Sequence, residues 1–209
     1  METPLLFVTL IFFGSSLSLA SSSNLQQYSC PPCGGLKIPS PLSTDSDCGE
    51  QNYRLYCINN TLQFLSQSGL YYQVISIDPT ANMLVISVPT IRKNACISSD
   101  LKEEGLTLDE SLPFNISKRN EVMLFNCAED ILNSPLNCTT ASPCRKFEAT
   151  SAGKSCRNTL CCSYLKDSAM TSHRIRIRVG GCTAYTSVVN MSPNDPPSTW
   201  KFGIELQWA

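Results

Sequence analysis

Cys30 and Cys33 enclose two prolines in SCPPCGGL, Ser29 to Leu36, the spacing of a dithiol redox centre or of half a tetrahedral zinc site. A redox pair of that kind closes a buried strand and opens a helix, whose positive N-terminus lowers the pKa of the attacking thiol. Here the approach is SSSNLQQYS and the exit is GGLKIPSPLS. Two glycines and two prolines within nine residues leave no helix start. Zinc needs a second ligand pair, yet no other C-x-x-C is present and the only histidine is His173. Structural bridges are the expected chemistry. Cys30, Cys33, Cys48, Cys57, Cys96, Cys127, Cys138, Cys144, Cys156, Cys161, Cys162 and Cys182 are twelve cysteines, the even number that complete pairing requires. Their spacing leaves the connectivity open, and no metal or cofactor is expected.

Arginines form the second chemically suggestive pattern. In HRIRIRV, His173 to Val179, strict alternation puts Arg174, Arg176 and Arg178 on one face of a strand and Ile175, Ile177 and Val179 on the other. Same-face neighbours stand roughly 6.5 to 7 Å apart, a row of forks suited to a linear polyanion. The same row also fits a solvated outer face whose arginines pair with acids on adjacent strands. From Cys144 to Gly180 eight basic residues stand against Glu148 and Asp167, net +6. Further basic side chains, Lys37, Arg54, Arg92 and Lys93, occur earlier beside Tyr53, Tyr56, Tyr71 and Tyr72. Catalysis is not expected. One histidine permits a single Ser-His or Cys-His arrangement at most, no nucleophile elbow or phosphate-cradling loop is present, and acid pairs such as Glu103 and Glu104 fall in a charged stretch.

The elements that must hold these residues read as β. YYQVISI (71–77) and MLVISVPTI (83–91) flank the turn DPTAN as a hairpin. Further strands are expected at 53–58, 62–66, 121–127, 173–179, 182–189 and 202–208, and SSDLKEEG (98–105) should form one or two helical turns capped by Ser99. The chain opens with the apolar run LLFVTLIFF and a serine-rich stretch, which fits a signal peptide over residues 1–20 and a secreted product. Removal of Glu2 with it would balance the chain at 16 basic and 16 acidic residues. No later stretch is apolar enough to span a bilayer. Sequons at Asn59, Asn115, Asn137 and Asn190 are expected glycosylation sites. A boundary is expected across the charged stretch 105–120. Five cysteines precede it and seven follow, so complete pairing demands at least one bridge across it.

The run C-x-x-C-G-x-L-x-I-P-x-P-L-S from Cys30, then Cys48-Gly49, Tyr53 to Cys57, YQVISID and Cys96 resemble the galacturonan-binding domain at the extracellular N-terminus of plant wall-associated receptor kinases. The later features PLNCTTASPC, Leu160 to Cys162, GGCTAY and WKFGIELQWA resemble the cysteine-rich region that follows in wall-associated-kinase-like receptors. The family commonly has an aromatic residue where this chain has Ser40. The resemblance implies a disulfide-rich, all-β ectodomain of small antiparallel sheets, with a galacturonan-binding lobe at 28–105 and a cysteine-rich lobe at 120–209. It implies a secreted or cell-wall location and non-catalytic binding of pectin and oligogalacturonides, with membrane receptors as further partners and no nucleic acid. Lys37, Arg54, Arg92, Lys93, Arg174, Arg176 and Arg178 are the candidate contacts. Because the sequence stops at Ala209, no kinase activity carries over, and the chain reads as a soluble relative or a piece of a longer receptor. A protein-binding ectodomain is the alternative.

Overall fold

A computed structural model describes residues 29–130, 141–165, 171–177, 181–192 and 194–209. The expected signal peptide, Asn137, Cys138, Arg178 and Val179 lie outside them.

The two-cysteine stretch is itself a strand. β1 (Cys30–Cys33) turns through Gly34 and Gly35 into β2 (Leu36–Ile38). Both glycines have positive φ, which a side chain would resist. Pro31 and Pro32 face solvent while both cysteines are buried. Prolines cannot donate to a ladder, so such a strand has to lie at an edge. Cys30 joins Cys48 and Cys33 joins Cys57. The two thiols therefore staple separate partners.

Four strands follow as a meander: β3 (Tyr56–Ile58), β4 (Thr61–Leu65), β5 (Tyr71–Asp78) and β6 (Met83–Ile86). The expected hairpin is β5–β6. Asp78 Oδ1 shapes its turn by accepting from the Thr80 amide (3.0 Å), the Thr80 hydroxyl (2.7 Å) and the Ala81 amide (3.3 Å). A short pair, β7 (Ile91–Arg92) and β8 (Ile97–Ser98), comes next. The helical turn expected near 98–105 is a 3-10 turn at Leu101–Glu103. It carries no side-chain cap, because Ser99 Oγ instead accepts from the Thr90 amide.

The stretch 105–120 is packed. Leu106, Leu108, Phe114 and Ile116 are buried, and β9 (Phe114–Ile116) pairs with β13 (Ile204–Trp208). β13 also pairs with β6, giving one sheet in the order β3-β4-β5-β6-β13-β9. A second sheet has β10 (Asn120–Phe125) between β11 (Cys161–Leu165) and β12 (Ala184–Val189). β10 is buried on both faces. Val122 and Leu124 share a core with Phe64, Leu84, Leu206 and Trp208, whereas Met123 and Phe125 meet Phe147 and Trp200. Phe147 comes from α1 (Pro143–Glu148), the one α-helix among the described residues. The result is sheet on sheet, with a helix-bearing layer on the far side.

Cys127–Cys182 ties the ends of the neighbouring strands β10 and β12, Cys144–Cys161 fastens α1 to β11, and Cys96–Cys156 crosses 105–120 as cysteine parity demands. Cys162 is disulfide-bonded as well.

The strand expected at 173–179 is not formed over its described part. Residues 173–177 lie on 104–108, with the Ile175 amide donating to Leu106 O (2.8 Å), the Ile177 amide to Glu104 O (3.2 Å) and the Leu108 amide to His173 O (2.7 Å). The partner segment bends at Gly105, φ +101°, where a Cβ would stand 2.1 Å from Ile175 O. A bent partner cannot sustain a ladder, so only isolated bridges remain, such as Thr107 to Arg174. The alternation nonetheless holds, because Ile175 and Ile177 are fully buried and Arg176 is exposed. Ile177→Val should therefore cost about 1 kcal/mol and lower the melting temperature by about 2 to 4 °C. Arg176→Ser should stay within about 0.5 kcal/mol of the parent. Equal melts for the two variants would contradict this assignment of faces.

Candidate functional site

The candidate cations occupy separate segments. Lys37 is exposed on β2 beside a groove of about 560 Å³ whose wall includes Pro32, Leu36, Ile77 and Pro79. Arg92 and Lys93 are exposed at the end of β7. Lys93 edges a groove of about 330 Å³ formed with Pro89, Ile91, Phe147, Ala152 and Phe202. Arg174 reaches Glu104 at 3.4 Å, and Arg176 is exposed nearby in sequence. Among the described residues no ion pair joins one of these segments to another. One of the basic residues counted along 144–180 is paired within the segment, with an acid that the net charge already includes. Arg145 Nη1 donates to both oxygens of Glu148 (2.9 and 2.8 Å) and to Thr159 O. Burial raises the Glu148 pKa, and Arg145 opposes that rise.

Arg54 is differently placed. It follows the 3-10 turn Gln51–Tyr53 and sits in an isolated bridge with Ser43. Its Nη1 donates to Gln51 Oε1 at 3.0 Å, and its guanidinium carbon stands 5.7 Å from the centre of the Tyr56 ring. Tyr56 in turn meets Tyr71 edge to face, with centroids 5.5 Å apart and planes at 86°. Tyr56 pairs with Gln63 and Gln63 with Gln73 across β3, β4 and β5, so these side chains share one sheet face. Tyr71, Gln73 and Ile75 alternate with the buried Tyr72 and Val74 along β5. At Ile75 the register with β6 slips by one residue, a bulge that leaves Ile75 and Ser76 both turned to solvent. The sequence named Arg54, Tyr56 and Tyr71 separately, and the alternation in YYQVISI marks Gln73 and Ile75 as their neighbours. Gln63 was missed because its placement depends on strand register.

The other two tyrosines serve the interior. Tyr53 packs edge-on against Phe114, and its hydroxyl donates to Ala209 O. The Tyr72 hydroxyl donates to Asp100 Oδ2 at 2.9 Å, and the Tyr185 hydroxyl donates to the same oxygen at 2.8 Å. Asp100 is 1 % exposed, and its Oδ1 has no partner. Burial raises the Asp100 pKa against the pull of its two hydrogen bonds. Burial and the Asp100 charge push both tyrosines well above their ordinary range. This cluster ties β5 to β12.

Asn59 and Asn190 are exposed in left-handed turns, each at φ 50°. Asn115 is half-buried on the edge strand β9. Among the described residues no helix is long and apolar enough to cross a membrane.

Residues 30–88, from β1 through strands β3 to β5 to just past β6, match the family described as wall-associated receptor kinase galacturonan-binding. Over 86 % of its length the chain is 38 % identical to wall-associated receptor kinase-like 20 of Arabidopsis thaliana, and over its whole length 36 % identical to wall-associated receptor kinase-like 15 of the same plant. It spans 28 % and 34 % of those two proteins, about a third of their length. No solved structure matches it.

Proposed function

We propose that the protein binds acidic pectin polysaccharide at the plant cell wall, reversibly and without catalysis, chiefly through the lobe at 28–105. The match of residues 30–88 to a galacturonan-binding family carries this reading. Galacturonan is a chain of sugar carboxylates, so its recognition calls for Arg or Lys at the charges and flat apolar surface at the rings. In this reading residues 1–20 act as a signal peptide, and exposed Asn59 and Asn190 carry glycans.

A titration with de-esterified oligogalacturonide tests the reading, with methyl-esterified and neutral oligosaccharides as controls. Between 0.1 and 1 M salt the screening length falls from about 10 to about 3 Å. Affinity for the de-esterified ligand should accordingly fall by about tenfold. Methyl esterification, which removes the charge and keeps the backbone, should weaken binding by a similar factor. No binding to any of these saccharides would overturn the proposal and promote a protein-binding ectodomain.

A further inference from the structure

The described surface has three exposed large apolar side chains, Ile58 at 37 %, Tyr71 at 48 % and Ile75 at 48 %. All three lie on the outward face of β3 and β5. Ile58 pairs with Thr61 two positions along from the Tyr56–Gln63 pair, and so points the same way as Tyr56. The opposite face of β4 and β5 is filled by Leu62, Phe64, Tyr72 and Val74, so the apolar groups outside are not overflow from a crowded core. Between the apolar groups stand the carboxamides of Gln63 and Gln73, neither of which makes a hydrogen bond to a described residue.

Arg54 completes the face. Arg119, Arg145 and Arg174 each engage a glutamate. Arg54 has a neutral partner in Gln51 and an aromatic one in Tyr56, and these two contacts hold its orientation. A guanidinium stacked on a ring keeps its outer N–H groups aimed outward, in the fork geometry that fits a carboxylate.

We propose that this face is a uronate subsite. A sugar ring of a linear acidic polysaccharide lies over Tyr71 and Ile75, the ring hydroxyls meet Gln63 and Gln73, and the carboxylate is taken by Arg54. The C–H groups on a pyranose face carry slight positive charge, and a tyrosine ring face is negative, so the contact is directional as well as apolar. Charge complementarity selects the occupant, because a neutral or cationic partner would leave Arg54 unmatched. The grooves beside the candidate lysines lack this combination. The one at Lys37 and the one at Lys93 have apolar walls with a single flexible ammonium and no exposed ring beside it.

The assignment rests on the pectin-binding reading and fails separately from it. The same titration is run with the full chain carrying Tyr71→Ala, Arg54→Gln or, as a control on a different segment, Arg176→Ser. Tyr71→Ala should weaken the de-esterified and methyl-esterified ligands alike, by about tenfold. Arg54→Gln should weaken the de-esterified ligand by about tenfold and leave the esterified one unchanged, so that the preference for free carboxylates shrinks. Arg176→Ser should bind as the parent does. Unchanged melting temperatures keep misfolding out of the comparison, and a variant that melts lower is replaced by Tyr71→Ser or Arg54→Met. If the parent binds and neither substitution on this face alters affinity, the subsite is wrong and pectin binding stands. If the parent binds no pectin, both are wrong.

Discussion

Asp100→Ala should lose about 4 kcal/mol of folding stability near pH 4, and less at pH 7. The carboxyl oxygen it removes accepts from the buried hydroxyls of Tyr72 and Tyr185, and a buried hydroxyl without a partner costs about 1 to 3 kcal/mol. The pH dependence follows from the raised Asp100 pKa. The folded state holds this proton more tightly than the unfolded chain, so the contribution is complete below the ordinary carboxylate pKa near 3.9. It is lost as pH climbs through the higher folded value, at up to about 1.4 kcal/mol per pH unit. Asp78 and Asp109 act with the opposite sign, since hydrogen bonds from Thr80 and Ser111 lower their pKa values. The difference between parent and Asp100→Asn isolates Asp100. Asn keeps an acceptor for both tyrosines, so this variant should lose the slope above pH 4 and little else. Urea unfolding of parent, Asn and Ala variants between pH 4 and 8 checks this. A parent curve that rises relative to Asp100→Asn across that range contradicts the sign.

Replacing both Cys96 and Cys156 by serine should cost a similar amount. That bridge closes a separation of 60 residues, against 18 for Cys30–Cys48. Chain-entropy estimates give about 4 kcal/mol for the longer closure and about 3 for the shorter. For a chain of this size 4 kcal/mol corresponds to a fall of roughly 8 to 16 °C in melting temperature. Cys96 and Cys156 are both buried beside Phe125 and Phe147, so the new hydroxyls add to the loss. Comparing the two double-serine proteins in urea gives the order. A smaller loss at 96–156 than at 30–48 would show that the long bridge is not what restrains the unfolded chain.

Local pattern made much of the fold readable. YYQVISI and MLVISVPTI revealed the hairpin, because strand composition and turn chemistry depend only on neighbours in sequence. The buried sides of Ile175 and Ile177 were legible from alternation, which is equally local, even though their segment pairs too irregularly to be a strand. Parity of the cysteine counts required a bridge across 105–120 without saying which one. Signals were weaker elsewhere. α1 has six residues, too few for a helical period to emerge, although Ser142 before Pro143 is a helix-start signature. The stretch 105–120 reads as charged because of Asp109 and Glu110, which masked the alternation of Leu106 with Leu108. Among the described residues part of the basic charge along the chain is taken up in pairs. Arg174 meets Glu104 and Arg145 meets Glu148, and no count of basic residues anticipates such pairings. The Arg54–Tyr56–Tyr71 corner was present as letters, but its assembly required knowing that β3, β4 and β5 lie side by side.

β13 occupies an interior place between β6 and β9, although it is the last of these strands to leave the ribosome. During synthesis β6 and β9 each wait with a bare edge of unpaired amides and carbonyls until residues 204–208 emerge. Such edges are templates for wrong pairing, within one chain or between nascent neighbours. A late-arriving central strand also raises the sequence separation of the contacts that complete the sheet, which slows folding. The protein should therefore depend on folding assistance more heavily than a meander of the same strands in chain order.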